Sequence, residues 1–209
     1  MGIYAKAVEQ LARKYLRVDM KVFDCGCGNG FHSMIFKKYA DDVIAGDLEN
    51  RMHPEYFLNF RKISVNNYGI ENEFDAVFSL DVIEHVEDDL GFLKEIARIT
   101  KPGGRIIIGT PNKRRLSSII RVMLGNKVVY PYRLGYHYES GGEIIHLRGY
   151  SMDELERLAQ KAAKVKVLEK RTDFFGVYTK FGPIGLKKIK GKMISEYGNH
   201  LFIILEKVS

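Results

Sequence analysis

The fold is decided by the stretch Asp24-Cys25-Gly26-Cys27-Gly28-Asn29-Gly30. Its first two residues end the segment 21–25, whose apolar run predicts a buried strand, and it precedes residues 31–40, whose apolar side chains recur at helical spacing. Glycines at alternate positions let the backbone turn tightly and approach a ligand closely. The free N–H groups at the start of the following helix favour bound polar groups. The stretch therefore predicts a strand–turn–helix unit with a ligand site at its turn.

The rest of the chain repeats this alternation of strands and helices. Strands are predicted at 42–46, 61–65, 74–80, 105–109, 164–171 and 200–207, and helices at 87–100 and 151–162. Ser151 and Glu154 have the spacing of a capping box at the start of the last helix. Such alternation indicates a parallel sheet with helices on both faces. A length of 209 residues fits a single domain, 1–209.

Two segments do not follow the alternation. Residues 111–148 combine arginines with tyrosines, and we expect them to form a lid or substrate-binding insertion. Residues 172–198 form a second irregular, basic insertion. Within the first segment, Leu116, Ile119, Ile120 and Met123 lie at helical spacing. This apolar stripe suits either a helix that packs on the domain or a helix that contacts a lipid surface.

Two acidic residues specify the kind of ligand. Asp47 closes the second predicted strand, 17 residues after Gly30, where a carboxylate can accept hydrogen bonds from both hydroxyls of a ribose. Asp24 ends the first strand, and its negative charge would repel the pyrophosphate of a dinucleotide. A carboxylate there suits a cofactor that carries an amino group or a sulfonium. The pattern thus favours a nucleoside cofactor with positive charge.

At this point the chain resembles the class I methyltransferases that use S-adenosylmethionine. The resemblance rests on the motifs VFDCGCGNG (22–30), AGDLE (45–49), FDAVFSLDVIEHV (74–86), KPGGRIIIGTPN (101–112) and HLRGYSMDELERL (146–158). The DVIEHV stretch is most similar to the branch of quinone-biosynthesis, small-molecule and glycan methyltransferases. The resemblance implies a doubly wound, seven-stranded, mostly parallel α/β sheet with an antiparallel last strand. It also implies S-adenosylmethionine as cofactor and S-adenosylhomocysteine as product.

Carried over residue by residue, the resemblance implies roles for the cofactor site. The methionyl end would be held by Asp24, Gly26, Cys27 and Gly28, partly through backbone groups and water. The ribose would be bound by Asp47, and the adenine would pack on Leu48.

Two further cofactor contacts come from later strands. The backbone carbonyl of Leu80 would accept from the methionyl amine. Relatives often have an aspartate after the third strand that accepts from the adenine amino group. This chain has Asn66 and Asn67 there, so an amide oxygen would accept the hydrogen bond from the adenine amino group.

The chemistry is expected at the carboxyl end of the fourth strand, where α/β sheets bind ligands. Methyl transfer is an in-line displacement, so the protein mainly aligns the acceptor and excludes water. His85 is the candidate base for an oxygen acceptor, and a packing histidine is the alternative. Asp81, Glu84, His85 and His146 have the ligand types of a divalent-metal site. Ligand types without geometry do not assign a metal, and none is predicted.

The distribution of charge along the chain indicates which class of acceptor molecule it suits. Residues 1–104 carry a net charge of −4 and residues 105–209 carry +11. The basic half, with Arg114, Arg115, Arg121 and Arg133 beside tyrosines, suits an acidic or phosphate-bearing small molecule. We expect a methyltransferase acting on a small or medium-sized acceptor at oxygen, without a stable nucleic-acid partner. An RNA methyltransferase using the basic half and a non-catalytic cofactor-binding partner subunit are the alternatives.

Cellular location is predicted from cysteine content and hydropathy. Cys25 and Cys27 are one residue apart, too close for a mutual structural disulfide, which fits a reducing cytoplasm. The amino-terminal sequence is amphipathic without an apolar signal core, and the apolar runs are too short for a transmembrane helix. Peripheral contact with lipid and the oligomeric state stay open.

Overall fold

The computed structural model describes residues 2–64, 68–69, 71–137, 142–173, 176–179, 182–185 and 195–209. The helices are α1 (Ile3–Tyr15), α2 (Phe31–Phe36), α3 (Asp89–Ile99), α4 (Leu116–Met123) and α5 (Met152–Ala162). The strands are β1 (Lys21–Cys25), β2 (Asp42–Asp47), β3 (Asn59–Lys62), β4 (Phe74–Leu80), β5 (Thr100–Pro111), β6 (Tyr132–His137), β7 (Gly142–His146), β8 (Val165–Asp173), β9 (Gly176–Thr179), β10 (Gly182–Gly185) and β11 (His200–Lys207). Short 3₁₀ turns occupy Ile83–His85 and Ser195–Tyr197.

Seven strands form one sheet in the order β3-β2-β1-β4-β5-β11-β8. The pairs from β3 to β5 are parallel, whereas β11 runs antiparallel to both β5 and β8. The predicted seven-stranded sheet with an antiparallel last strand is therefore confirmed. Strand order reverses at β1, so the chain leaves β1 and β4 in opposite directions across the sheet. A crevice opens at such a switch point, outside the carboxyl ends of the strands.

The core lies on both faces of the sheet. One apolar cluster joins α1 and α2 to the sheet through residues such as Leu11 and Phe36. The other joins α3 and α5 to the opposite face, with Ile96 and Leu155 completely buried. The central strands are buried on both faces, as expected of a doubly wound sheet whose strands are nearly continuous apolar runs.

Several predicted boundaries differ from the structure. Strand β5 begins at Thr100 rather than at 105, because Thr100 pairs with Phe74 and a register shift across 101–104 precedes the pairing of Arg105 with Ala76. Strand β3 covers 59–62 rather than 61–65, because its partners are Ile44–Asp47. Helix α2 ends at Phe36, and turns follow it.

The two segments outside the alternation contain more regular structure than the sequence indicates. Segment 111–148 holds α4 and the antiparallel pair β6–β7, and segment 172–198 holds the antiparallel pair β9–β10. Their roles as insertions around a substrate stay predictions. Within the described ranges, no helix combines the length and the hydropathy needed to cross a bilayer.

Candidate functional site

The glycine loop after β1 has the backbone that only glycine adopts without strain. Gly26, Gly28 and Gly30 all have positive φ, at 84°, 53° and 82°. At Gly26 a Cβ would also lie 2.3 Å from a methyl group of Val82, so no larger residue fits there. The loop is therefore packed directly against the segment that follows β4. This contact holds the loop after β1 and the segment after β4 together at the carboxyl ends of the strands.

Asp47 holds the loop from the neighbouring strand. Its carboxylate oxygens accept from the N–H of Gly28 at 2.8 Å and from the N–H of Leu48 at 2.7 Å. Charge-assisted bonds of this kind fix a carboxylate in position. The Leu48 side chain is 51% exposed, so an apolar surface is open to a ligand next to this carboxylate.

A cavity of about 400 Å³ opens between these groups. That volume is within the range of small-molecule sites. Four of the predicted site residues line it, namely Gly26, Asp47, Leu48 and His85. Sequence reasoning missed the rest of the wall, which consists of Cys25, Ile63, Tyr68, Val82, Val86, Glu87, Asp88 and Phe92. These residues come from separate elements, so no local pattern marks them.

The remaining predicted cofactor residues lie around the cavity rather than on its wall. Asp24 is buried behind the loop, and Ser33 Oγ donates to its carboxylate at 2.5 Å. Cys27, Gly28 and Leu80 are close by in the loop and at the end of β4. Asn66 and Asn67 lie outside the described residues.

Asp24 is a buried carboxyl with a strongly shifted pKa. Burial raises its pKa to about 7, although the bond from Ser33 opposes the shift, and the nearby charge of Asp47 adds to it. A cation placed beside this group would favour its ionised form. The site is therefore suited to a positively charged ligand, as the sequence predicts.

The two thiols are free and buried. Cys25 Sγ lies 3.4 Å from the hydroxyl of Tyr68, and burial raises the pKa of Cys25 to about 12. Burial also raises the pKa of Cys27 well above its usual value. Both therefore stay protonated at neutral pH and act as small packing residues in the loop.

A second group of polar side chains lies at the end of β4. Glu84 is 1% exposed, and its Oε2 accepts from Thr110 Oγ1 at 2.9 Å. Its Oε1 has no hydrogen-bond partner among the described residues. That atom lies 3.9 Å from Nε2 of His85 and 3.9 Å from Nε2 of His146. Three ligand-type atoms thus lie within 4.8 Å of one another.

Both histidines of this group are held as neutral rings. Nδ1 of His85 lies 2.7 Å from the carbonyl oxygen of Ile145, so we assign the proton to Nδ1, which leaves Nε2 with a lone pair. Burial lowers the pKa of His85, and this hydrogen bond opposes the shift. The pKa of His146 falls to about 4 through burial, with further contributions from His85 and the Arg115 charge.

These three side chains fit a divalent cation. Tetrahedral bonds of about 2.0–2.2 Å would separate the ligand atoms by about 3.4 Å. The two pairs at 3.9 Å would then close by about 0.5 Å, and the third pair, which lies within 4.8 Å, by at most about 1.4 Å. Neutral imidazole and carboxylate are suitable ligands, and the Ile145 carbonyl orients His85 as carbonyls orient metal-bound histidines. Of the four residues with suitable chemistry, Asp81 is not in the group: its Oδ1 lies 4.0 Å from Nε2 of His200.

Comparisons with known proteins agree with this geometry. The family profile described as "Methyltransferase domain" matches residues 23–108. A ubiquinone biosynthesis O-methyltransferase of Colwellia psychrerythraea is 27% identical over 136 residues, which are 60% of this chain and 55% of the relative. The matched region thus spans about half the length of that relative.

Solved structures show the same fold across the chain. A S-adenosylmethionine-dependent methyltransferase of Methanosarcina mazei superposes with a TM-score of 0.66 at 15% identity, covering 95% of this chain and 97% of its own. The [4+2]-cyclase SpnF superposes with a TM-score of 0.65 at 14% identity, covering 98% of this chain and 81% of its own. The fold alone therefore does not specify the reaction. The profile match thus identifies a methyltransferase domain over residues 23–108, and the solved structures show that the chain has the fold of S-adenosylmethionine-dependent methyltransferases.

Proposed function

We propose that this chain transfers a methyl group from S-adenosylmethionine to a hydroxyl oxygen of a small or medium-sized acceptor. The observation that carries the proposal is the position of His85. Its ring lines the cavity between Gly26 and Asp47, and its Nε2 is unprotonated beside Glu84. A proton acceptor is thus adjacent to the cofactor site, which suits an oxygen nucleophile.

The cofactor fits the residues of the cavity. Asp47 would bind the ribose hydroxyls, Leu48 would cover the adenine, and the tight turn at Gly26 would admit the methionyl end. Ionised Asp24 would balance the positive charge of that end from behind the loop. When bound, S-adenosylmethionine supplies an electrophilic methyl group on a sulfonium leaving group.

The chain's own part in the reaction is alignment and removal of a proton. The acceptor O–H bond breaks and its proton passes to Nε2 of His85. With S-adenosylmethionine bound, the oxygen would take the methyl group as the carbon–sulfur bond of the sulfonium breaks, and S-adenosylhomocysteine would be released. The bond from Nδ1 to the Ile145 carbonyl orients the ring and stabilises its protonated form.

We further propose that the acceptor carries an acidic or phosphate group. Arg115 lies at the amino terminus of α4, shortly after the end of β5, and its charge contributes to the lowered pKa of His146, whose ring contacts His85. Arginine is well suited to bind carboxylates and phosphates. The name of the Colwellia relative, an O-methyltransferase of ubiquinone biosynthesis, supports an oxygen acceptor on a small molecule.

A metal-assisted form of the reaction is the second candidate. It is favoured by the buried Oε1 of Glu84, which faces two imidazole nitrogens and has no hydrogen-bond partner among the described residues. A divalent cation held by Glu84, His85 and His146 would lower the pKa of an acceptor hydroxyl. In that case activity should be lost after treatment with EDTA and should return with added magnesium or zinc, whereas unchanged activity excludes this candidate.

The central experiment measures S-adenosylhomocysteine formation by the purified chain. Catechols and hydroxybenzoates are offered as acceptors, and total RNA is offered in parallel. Formation that depends on a phenolic acceptor supports the proposal. Methylation of RNA would instead support the nucleic-acid alternative. Binding of S-adenosylhomocysteine without turnover on any acceptor would support a non-catalytic partner subunit.

We place the protein in the cytoplasm, as its two free cysteines suggest. Fractionation of cells that express a tagged chain tests this location.

A further inference from the structure

The tip of segment 111–148 exposes apolar side chains next to cations. Every residue from 120 to 127 is exposed. The exposed apolar residues are Ile120, Val122, Met123, Leu124 and Val129, with Met123 at 81% and Leu124 at 73%. Burying them would remove an unfavourable contact with water, so we define these five residues as the apolar tip.

The charge around the apolar tip has one sign. Residues 113–138 contain six lysines and arginines and no aspartate or glutamate. Two of these cations, Arg121 and Lys127, are exposed among the apolar residues. Apolar side chains with cations on one short segment match a bilayer surface, where acyl chains lie directly beneath anionic headgroups.

The base of the tip is anchored to the domain. Ser118 of α4 is buried, and the N–H of Ser118 donates to the carbonyl of Arg115. Tyr130, on the other side of the tip, packs against Gly149, where a Cβ would lie 2.2 Å from its hydroxyl oxygen. The backbone N–H of Lys113 donates to the carbonyl of Tyr150. The exposed residues are thus presented by a fixed base at the same edge of the sheet as the candidate site.

We propose that the apolar tip docks the protein on the surface of an anionic membrane. A second copy of the chain is a less suitable partner for the apolar tip, because a two-fold symmetric contact would bring the same cations of both copies together. Anionic phospholipids supply the opposite charge and an apolar layer at once. The proposal does not depend on the methyl-transfer reaction.

The test is sedimentation of the full-length chain with lipid vesicles. We expect binding to vesicles of phosphatidylcholine mixed with an equal amount of phosphatidylglycerol, and little binding to phosphatidylcholine alone. The double variant Met123→Asp with Leu124→Asp should lower the bound fraction at least about tenfold, because it places charge in the acyl region. Arg121→Glu with Lys127→Glu should lower it as well. Val18→Asp, at an exposed apolar residue preceding β1, is the matched control and should bind as the parent does.

Three outcomes would overturn the proposal. The first is absence of binding to the mixed vesicles, and the second is equal binding to both vesicle types. The third is a dimer on gel filtration that the Met123→Asp, Leu124→Asp variant converts to monomer while vesicles are not bound, since a second copy would then be the occupant. Circular dichroism of each variant confirms that folding is unchanged, and these substitutions at exposed positions should leave it so.

Discussion

At the scale of single residues, the site depends on where a few charges are held. Asp47 is fixed by two backbone N–H groups, whereas Asp24 is buried with one hydroxyl donor. The two carboxyls therefore differ in burial and in hydrogen-bond donors. His85 and His146 stay neutral because burial disfavours their charged forms.

Asp47→Asn should weaken binding of S-adenosylhomocysteine. The amide keeps the size of the side chain but loses the charge that strengthens bonds from ribose hydroxyls, at a cost of about 1.5–3 kcal/mol. Calorimetry should show a loss of about tenfold to a hundredfold in affinity. Asp42→Asn, at the exposed start of the same strand, is the control and should bind normally. Equal affinity of the Asp47 variant and the control would remove Asp47 from the site.

The raised pKa of Asp24 predicts how the affinity for the cofactor depends on pH. The pKa of this carboxyl is raised to about 7, so a large share is protonated below that pH and cannot balance a cation. Affinity for S-adenosylhomocysteine, whose ammonium stays charged in this range, should therefore rise from pH 5 to pH 8. Titration calorimetry at several pH values measures the slope. Asp24→Asn should bind weakly with a flat profile, and a variant that keeps the slope would assign the titration to another group.

His85→Asn should separate catalysis from binding. Removal of the proton acceptor should lower kcat by about 10²–10⁴-fold, the usual contribution of a general base. Affinity for S-adenosylhomocysteine should change little. His53→Asn, at an exposed histidine outside the cavity, serves as control. If kcat is unaffected, His85 is a packing residue.

At the scale of elements, the ends of the strands and the caps of the helices position the residues of the candidate site. The capping box of α5 is formed as predicted, because the Glu154 carboxylate accepts from the N–H of Ser151 and the Ser151 hydroxyl oxygen accepts from the N–H of Glu154. Helix α5 packs on the sheet beside α3 and follows the segment that contributes His146. Stability of this helix therefore also supports the polar group at the end of β4.

Ser151→Ala should destabilise the folded chain by about 1 kcal/mol, the usual loss for a helix N-cap. Urea unfolding followed by circular dichroism measures the change. Ser117→Ala, at the second residue of α4 and not at an N-cap, should cost less. Equal effects of the two substitutions would mean that the cap does not stabilise α5.

At the scale of the whole molecule, binding at the crevice should stabilise the sheet that forms it. The residues that line the cavity include members of β1, β2 and the segment after β4, so a ligand bound there would link strands that are separate in sequence. S-adenosylhomocysteine at about 100 times its Kd should add about 2.7 kcal/mol. That raises the midpoint of thermal unfolding by about 5–10 °C for a chain of this size. NADH at the same concentration should give no shift, because its pyrophosphate would meet the carboxyl of Asp24; an equal shift would contradict the cofactor assignment.

Local sequence patterns were enough to predict the sheet and the glycine loop that follows β1. The glycines at 26, 28 and 30, the acid at Asp47 and the alternation of strands and helices are local patterns, and each reflects backbone geometry or burial within a few residues. For the same reason the capping box of α5 and the bounds of β11 were predictable.

Only the tertiary structure brought together groups that are distant in sequence. Glu84 and His146 are neighbours because the N–H of Leu147 donates to the Glu84 carbonyl, a long-range contact without a local signal. The same applies to the separation of Asp81 from this group and to Phe92 and Tyr68 in the cavity wall. Local periodicity fixes which residues form an element, whereas side-chain proximity between elements depends on how the whole sheet and its loops pack.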